Sequence, residues 1–131
     1  MESQRVSLVA MLFCRVVEMN DGRTKTVGLG GLFDAIESAD GASDGAVYVA
    51  VSGLLKHTEL ELKVEHLLES GNVDRVETHM VHFIAVGAEH ARADSIFPMD
   101  RLKFGAGRVR FSLWGDGGMI GQRTLYVLSG S

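Results

Sequence analysis

The chain has 131 residues, 46% of them hydrophobic and 23% charged, with a formal net charge of −4. That length corresponds to one domain able to bury a core of its own, and this balance of apolar and charged residues excludes an intrinsically disordered chain. The acidic excess argues against nucleic acid as a partner, because such binders draw most of their affinity from neutralising phosphate; a single cysteine excludes an intramolecular disulfide.

Arg5 to Met19 carries Leu8, Ala10, Leu12, Cys14 and Val16 on one parity and Val9, Met11, Phe13 and Val17 on the other. Apolar residues on both faces predict a central strand covered on both sides. The run is too short to cross a bilayer. Glu2 offsets Arg5, and bulky Phe13 stands where a leader cleavage site needs a small residue, so the expectation is a cytoplasmic protein with no membrane contact. Cys14, inside this run, reads as a small buried hydrophobe. Asn20-Asp21-Gly22 signals a hairpin, and Lys25 to Ile36 returns as a second strand whose Gly28, Gly30 and Gly31 suggest a bulge. Glu37 to Gly45 is a loop by composition, expected to cross between sheets. Ala46 to Leu55 alternates Val47, Val49 and Val51 with Tyr48, Ala50 and Ser52, which places Tyr48 on an outer face.

Thr58 to Leu68 fits two periods. Leu60, Leu62, Val64 and Leu68 share a strand face, whereas Leu60, Val64, Leu67 and Leu68 fall at helical spacing with Gly71 as a C-terminal cap. A strand is expected, because its neighbours read as strands and Gly71-Asn72 suits a hairpin; a helix over 58–70 would make the protein α+β. Val76 to Val86 is a further strand, offering Met80, Val81, Phe83 and Ile84 to the core. Gly87 to Asp94 reads as irregular, and Pro98 restricts the following piece to a sheet edge or a strand start. Gly107 to Leu128 is the clearest hairpin: Val109, Phe111 and Leu113 alternate with Arg108, Arg110 and Ser112, then come Gly115-Asp116-Gly117-Gly118 and a second extended run. Together these elements predict one all-β domain over 1–131. Its expected form is a two-sheet antiparallel sandwich of seven or eight strands, immunoglobulin-like or C2-like.

No segment carries a complete chemical motif. Gly28-Leu29-Gly30-Gly31-Leu32-Phe33 has Phe33 where a dinucleotide fingerprint needs its third glycine, and no Gly-Lys-Ser or Gly-Lys-Thr cradle occurs. His79 and His82 with Glu77 form the tightest histidine cluster. On a helix they could grip one metal ion, but on the strand favoured here they point to opposite faces, and His66 with Glu65 would have to complete a site from a neighbouring strand. His57 and His90 stand apart. Glu59, Glu61 and Glu65 share a face that reads as solvent-facing, and no serine sits in a nucleophile elbow. No catalytic, cofactor-binding or metal-ligating residue is therefore assigned, and no cofactor is implied. The best candidate surface is a contact patch on the closing hairpin: Arg108, Arg110, Trp114, Arg123 and Tyr126, aromatic residues beside arginines of the kind enriched at interfaces.

Two blocks carry a resemblance. Leu12-Phe13-Cys14-Arg15, Gly22 and Thr26-Val27-Gly28-Leu29-Gly30-Gly31-Leu32-Phe33-Asp34-Ala35-Ile36 form the first, and Gly107-Arg108-Val109-Arg110-Phe111, Gly117 or Gly118, and Arg123-Thr124-Leu125-Tyr126-Val127 the second. Together they resemble the opening and the closing hairpin of a family of uncharacterised small bacterial proteins of about this length. Its members open on an apolar strand ending in Cys and an acid, then a glycine turn, then a strand ending in Phe-Asp-x-Ile. Arg15 departs from the acid. The resemblance implies a β-sandwich and no known activity, so it transfers no catalytic residue. The functional expectation is a non-catalytic binding or structural module acting through protein contacts, including contacts with its own copies. The alternative is a small metal- or ligand-dependent enzyme, or a ligand-binding sandwich, using the His66/His79/His82 region.

Overall fold

A computed structural model of the chain describes residues 6–20, 26–37, 45–53, 58–86, 92–102, 105–115 and 117–128. The Asp21-Gly22 turn, the 38–44 loop, His57, His90, Lys103 and Asp116 lie outside those residues. Nine strands are present: β1 (Ser7–Asn20), β2 (Thr26–Phe33), β3 (Ala35–Glu37), β4 (Ala46–Ser52), β5 (Thr58–Leu67), β6 (Val73–Val86), β7 (Arg92–Pro98), β8 (Gly107–Gly115) and β9 (Gly118–Leu128). One 3-10 turn, Met99–Arg101, follows β7.

The strands form a single mixed sheet in the order β2-β1-β4-β7-β6-β5-β8-β9-β3, antiparallel except for the parallel pair β3–β9. This corrects the expected two-sheet sandwich. The physical reason lies in β6, a strand of 14 residues flanked by strands of 10 and 7. It pairs with β5 from Val73 to Phe83 and with β7 from Ile84 to Val86, so it hands one half of the sheet to the other without a break. The sheet then curls over itself. Phe13 of β1 and Phe111 of β8 sit well apart in strand order, yet their rings are 5.1 Å apart. One core fills the concave side, with Val47, Val49 and Val51, Leu60, Leu62 and Val64, and Val109, Phe111 and Leu113 among its members. A curled sheet and a sandwich produce the same in-out alternation along each strand, so periodicity could not separate them.

The two edges of the sheet belong to one stretch of chain. β2 ends at Phe33 and β3 starts at Ala35, so only Asp34 separates one edge from the other. The Tyr126 amide donates to the Asp34 carbonyl (2.9 Å), and Arg123 donates to the Asp34 carboxylate (2.9 Å). Phe33 stacks near Phe13 (6.2 Å between centroids), and Ile36 packs against the core. The Phe-Asp-x-Ile pattern thus carries the chain from one edge to the other, while Gly31, at φ +66, breaks the regular β2 geometry just before it.

Other expectations meet the coordinates element by element. Thr58–Leu67 is a strand, and Gly71 at φ +92 lies in the turn that links it to β6. The closing hairpin forms as predicted, with Gly107↔Val127 at one end and Gly115↔Gly118 at the turn. Strand β7 begins at Arg92, inside the stretch read as irregular, and Pro98 ends an interior strand instead of marking an edge or a start. A last-residue proline loses no ladder bond that a neighbour needs. Within β1 only Met11, Phe13 and Cys14 are fully buried, while Val9, Val16 and Met19 are exposed, because β1 lies next to the edge strand. Met80 and Ile84, offered to the core by sequence, face outward; Val81 and Phe83 are buried.

Candidate interaction surface

The five residues of the sequence-based contact patch do not converge. Arg108 and Tyr126 are register partners and both are exposed. Arg110 makes a two-pronged ion pair with Glu65 of β5, its Nε 3.2 Å and Nη2 3.1 Å from the carboxylate oxygens. Trp114 is half-buried; its indole N–H donates to the Ser112 hydroxyl (2.9 Å), and the Lys63 ammonium lies 4.8 Å from its ring. Arg123 stands opposite Phe111, on the core side, bonded to Asp34 and 5.9 Å from the Phe13 ring centre. Cationic charge on this hairpin is therefore largely compensated locally.

Tyr48 is buried, contrary to the outer position expected for it. It lies on the side of β4 away from the main core, in a small cluster with Cys14 and Ala50. Its hydroxyl donates to Asp94 Oδ2 at 2.8 Å, and Arg92 Nε sits 3.3 Å from the other carboxylate oxygen. Burial, then the bond to Asp94, pushes the phenol well above its ordinary range. The hydroxyl satisfies Asp94 Oδ2, while Oδ1 has the Arg92 ion pair but no hydrogen bond among the described residues. The arrangement keeps Tyr48 a neutral donor.

The histidines separate by strand parity. His66, Glu77 and His79 share the concave face of the β5–β6 pair, whereas His82 projects from the other side. His66 Nε2 is 2.7 Å from Glu77 Oε2, and His79 Nε2 is 3.9 Å from Glu77 Oε1, so the carboxylate lies between two imidazoles. Burial pushes the His66 pKa below its ordinary value, opposed by the bond to Glu77, so the ring is neutral near pH 7. Among the described residues no three His, Cys, Asp or Glu side chains are arranged to hold a metal ion. His66 also borders an open pocket of about 290 Å³ with Leu67, Leu68, Asp74, Arg75, Gly105, Ala106, Arg108 and Val109. That lining contains no serine, threonine or cysteine for an imidazole to activate.

The feature that sequence reading missed is an unpaired sheet edge. From Val76 to Val81, β6 has β5 on one side and no described strand on the other, because β7 joins only at Ile84. At about 3.4 Å per residue this edge runs for roughly 20 Å. Its solvent side presents Val76 and Met80, exposed by 50% and 60%. The sheet's outermost strands are blunted by contrast: β3 has three residues, and β2 carries three glycines. The sequence gives no signal for it, because Val76, Met80 and Ile84 on the parity opposite Val81 and Phe83 read as a strand apolar on both faces.

Neither a scan against models of protein families nor a search of curated proteins gives a match for this chain. What stands is a small all-β protein with nine strands among its described residues.

Proposed function

We propose that this protein is a non-catalytic binding module that acts through protein contacts, and that its partner adds a strand to the open edge of β6. The edge from Val76 to Val81, which has no partner strand among the described residues, carries this reading. Backbone N–H and C=O groups along such an edge are ready to pair with another chain, and the ladder supplies affinity while alternate side chains supply selectivity. Folded proteins ordinarily shield long edges with charge, proline or a bulge. β6 carries charge near its turn end (Asp74, Arg75 and Glu77) but no proline from Val73 to Phe83, and its register with β5 is regular from Thr58↔Phe83 to His66↔Arg75.

The test uses a capped synthetic peptide of residues 73–83 as the strand. Titrated into the protein, it should slow amide exchange and shift amide resonances along 73–83, leaving β1, β4 and β9 unchanged. Changes confined to the β8–β9 hairpin, or none at all, would overturn the reading.

A further inference from the structure

We propose that the β6 edge pairs antiparallel with the β6 edge of a second copy of this chain, on a two-fold axis through Thr78. The inference rests on the strand-addition reading above and names its partner. Placing the axis at Thr78 sets Glu77 against His79 and Val76 against Met80, each pair occurring twice, with Thr78 facing its own copy. Opposed carboxylate and imidazole, opposed apolar side chains and a Thr–Thr pair are all favourable cross-strand combinations.

The self-complementarity respects the faces of the strand. Val76, Thr78 and Met80 lie on the outer face, where Val76 and Met80 are at least half exposed as the single chain stands. Pairing would join them into one apolar stripe across the axis. Glu77 and His79 lie on the concave face, and the buried His79 Nε2 atom has no hydrogen-bond partner among the described residues, its own Glu77 standing 3.9 Å away. A carboxylate arriving from the second copy would stand beside that imidazole. Moving the axis by one residue, to Glu77, would place Glu77 against itself and Asp74 against Met80. Moving it to His79 would place His79 against itself and Val76 against His82. Carboxylates directly opposite one another are destabilising, and the His79 register gives up the Val76–Met80 contact, so the Thr78 register is the favoured one. A closed two-fold pair also consumes both edges, leaving none to propagate into a fibre.

Light scattering on the whole protein should give a mass near twice 14.2 kDa at high concentration. The double variant Val76→Lys, Met80→Lys places lysine against lysine at both positions and should weaken dimerisation roughly tenfold or more. Val76→Lys with Met80→Glu places opposite charges there and should restore the dimer. Both side chains are exposed, so thermal melts of the dilute monomer should stay close to wild type. Mixing Val76→Cys protein with Met80→Cys protein under mild oxidation should give a mixed disulfide dimer, with neither variant cross-linking alone to the same extent. A monomer at every concentration overturns the self-pairing while leaving the peptide result to judge the edge itself. A dimer indifferent to all three charge and cysteine tests also overturns the self-pairing, since its interface then lies elsewhere, and again leaves the peptide result to judge the edge.

Discussion

Replacing Gly107 with alanine should be among the most damaging single-methyl changes in the protein. Gly107 opens β8 at φ +137, a conformation that L side chains rarely adopt. A Cβ there would run into the Leu67 carbonyl oxygen and come within 3.3 Å of the Leu68 carbonyl carbon. The crowding has a definite source: the β5–β6 register shifts between His66 and Leu67, and that irregularity lies against the start of β8, where Leu67 faces Arg108. Backbone strain of this kind costs about 1–3 kcal/mol. Pushing the β5 backbone aside adds an overpacking cost of similar size, about 1–3 kcal/mol. A total near 3 kcal/mol corresponds to a drop of roughly 10 °C in melting temperature for a domain of this length. The assay is urea unfolding followed by circular dichroism, with Gly117→Ala as the control, because nothing lies within 4 Å of a Cβ at that position. If Gly107→Ala unfolds at the same urea concentration as Gly117→Ala, the close approach of β8 to β5 is not what the coordinates indicate.

Four further outcomes test other parts of the structure. Tyr48→Phe removes the hydroxyl that donates to buried Asp94 and should cost about 1–3 kcal/mol in the same urea assay, the penalty for an under-satisfied buried group. Leu62→Ala, at a fully buried site, should cost about 2–5 kcal/mol. Met80→Ala, on the exposed face, should stay within about 0.5 kcal/mol at concentrations where the protein is monomeric. Acidification should destabilise the fold through His66. Its folded pKa lies below the ordinary 6.5, so the unfolded chain takes up a proton first; the neutral ring's contribution is complete above 6.5 and is lost as pH falls through the folded value. His66→Gln should remove that part of the pH dependence, measured as the difference in urea midpoint between pH 8 and pH 5. An unchanged slope in the variant would assign the acid sensitivity to other groups.

Local structure was largely legible in the sequence, because the alternation that makes a strand half-buried is written in adjacent residues. Val109, Phe111 and Leu113 announce β8, and Val47, Val49 and Val51 announce the core face of β4. At Thr58–Leu67 two periods competed, and the strand formed because Leu62 and Val64 are wanted in the core between β6 and β8, a tertiary demand that outweighs the helical propensity of Glu, Leu and Lys. Sheet connectivity was not legible. Nothing local distinguishes a strand that ends at one sheet from a strand that continues into the next, and the parallel pairing of β3 with β9 joins residues about 90 positions apart. Tyr48 illustrates the same limit: alternation placed it opposite Val47 and Val49 correctly, but whether that opposite face is wet depends on what else packs there.

The open edge of β6 follows from the way this sheet encloses its core. Curling a sheet until Phe13 meets Phe111 requires one strand to turn between the two halves, and β6 does so with only Ile84 to Val86 paired to β7. Twisted strands diverge as a sheet coils, so the residues preceding that short overlap lose their neighbour. The same divergence leaves room on the concave side for Glu77 and His79, which a flat continuous sheet would have replaced with core residues such as Val81 and Phe83 further along the strand. Edge and polar cluster are thus two consequences of one geometric requirement. Filling the gap by engineering β7 to pair further along β6 should bury the edge, protect the 73–83 amides in the monomer and abolish self-association together. Loss of one of these effects without the others would separate the edge from the contact it is proposed to make.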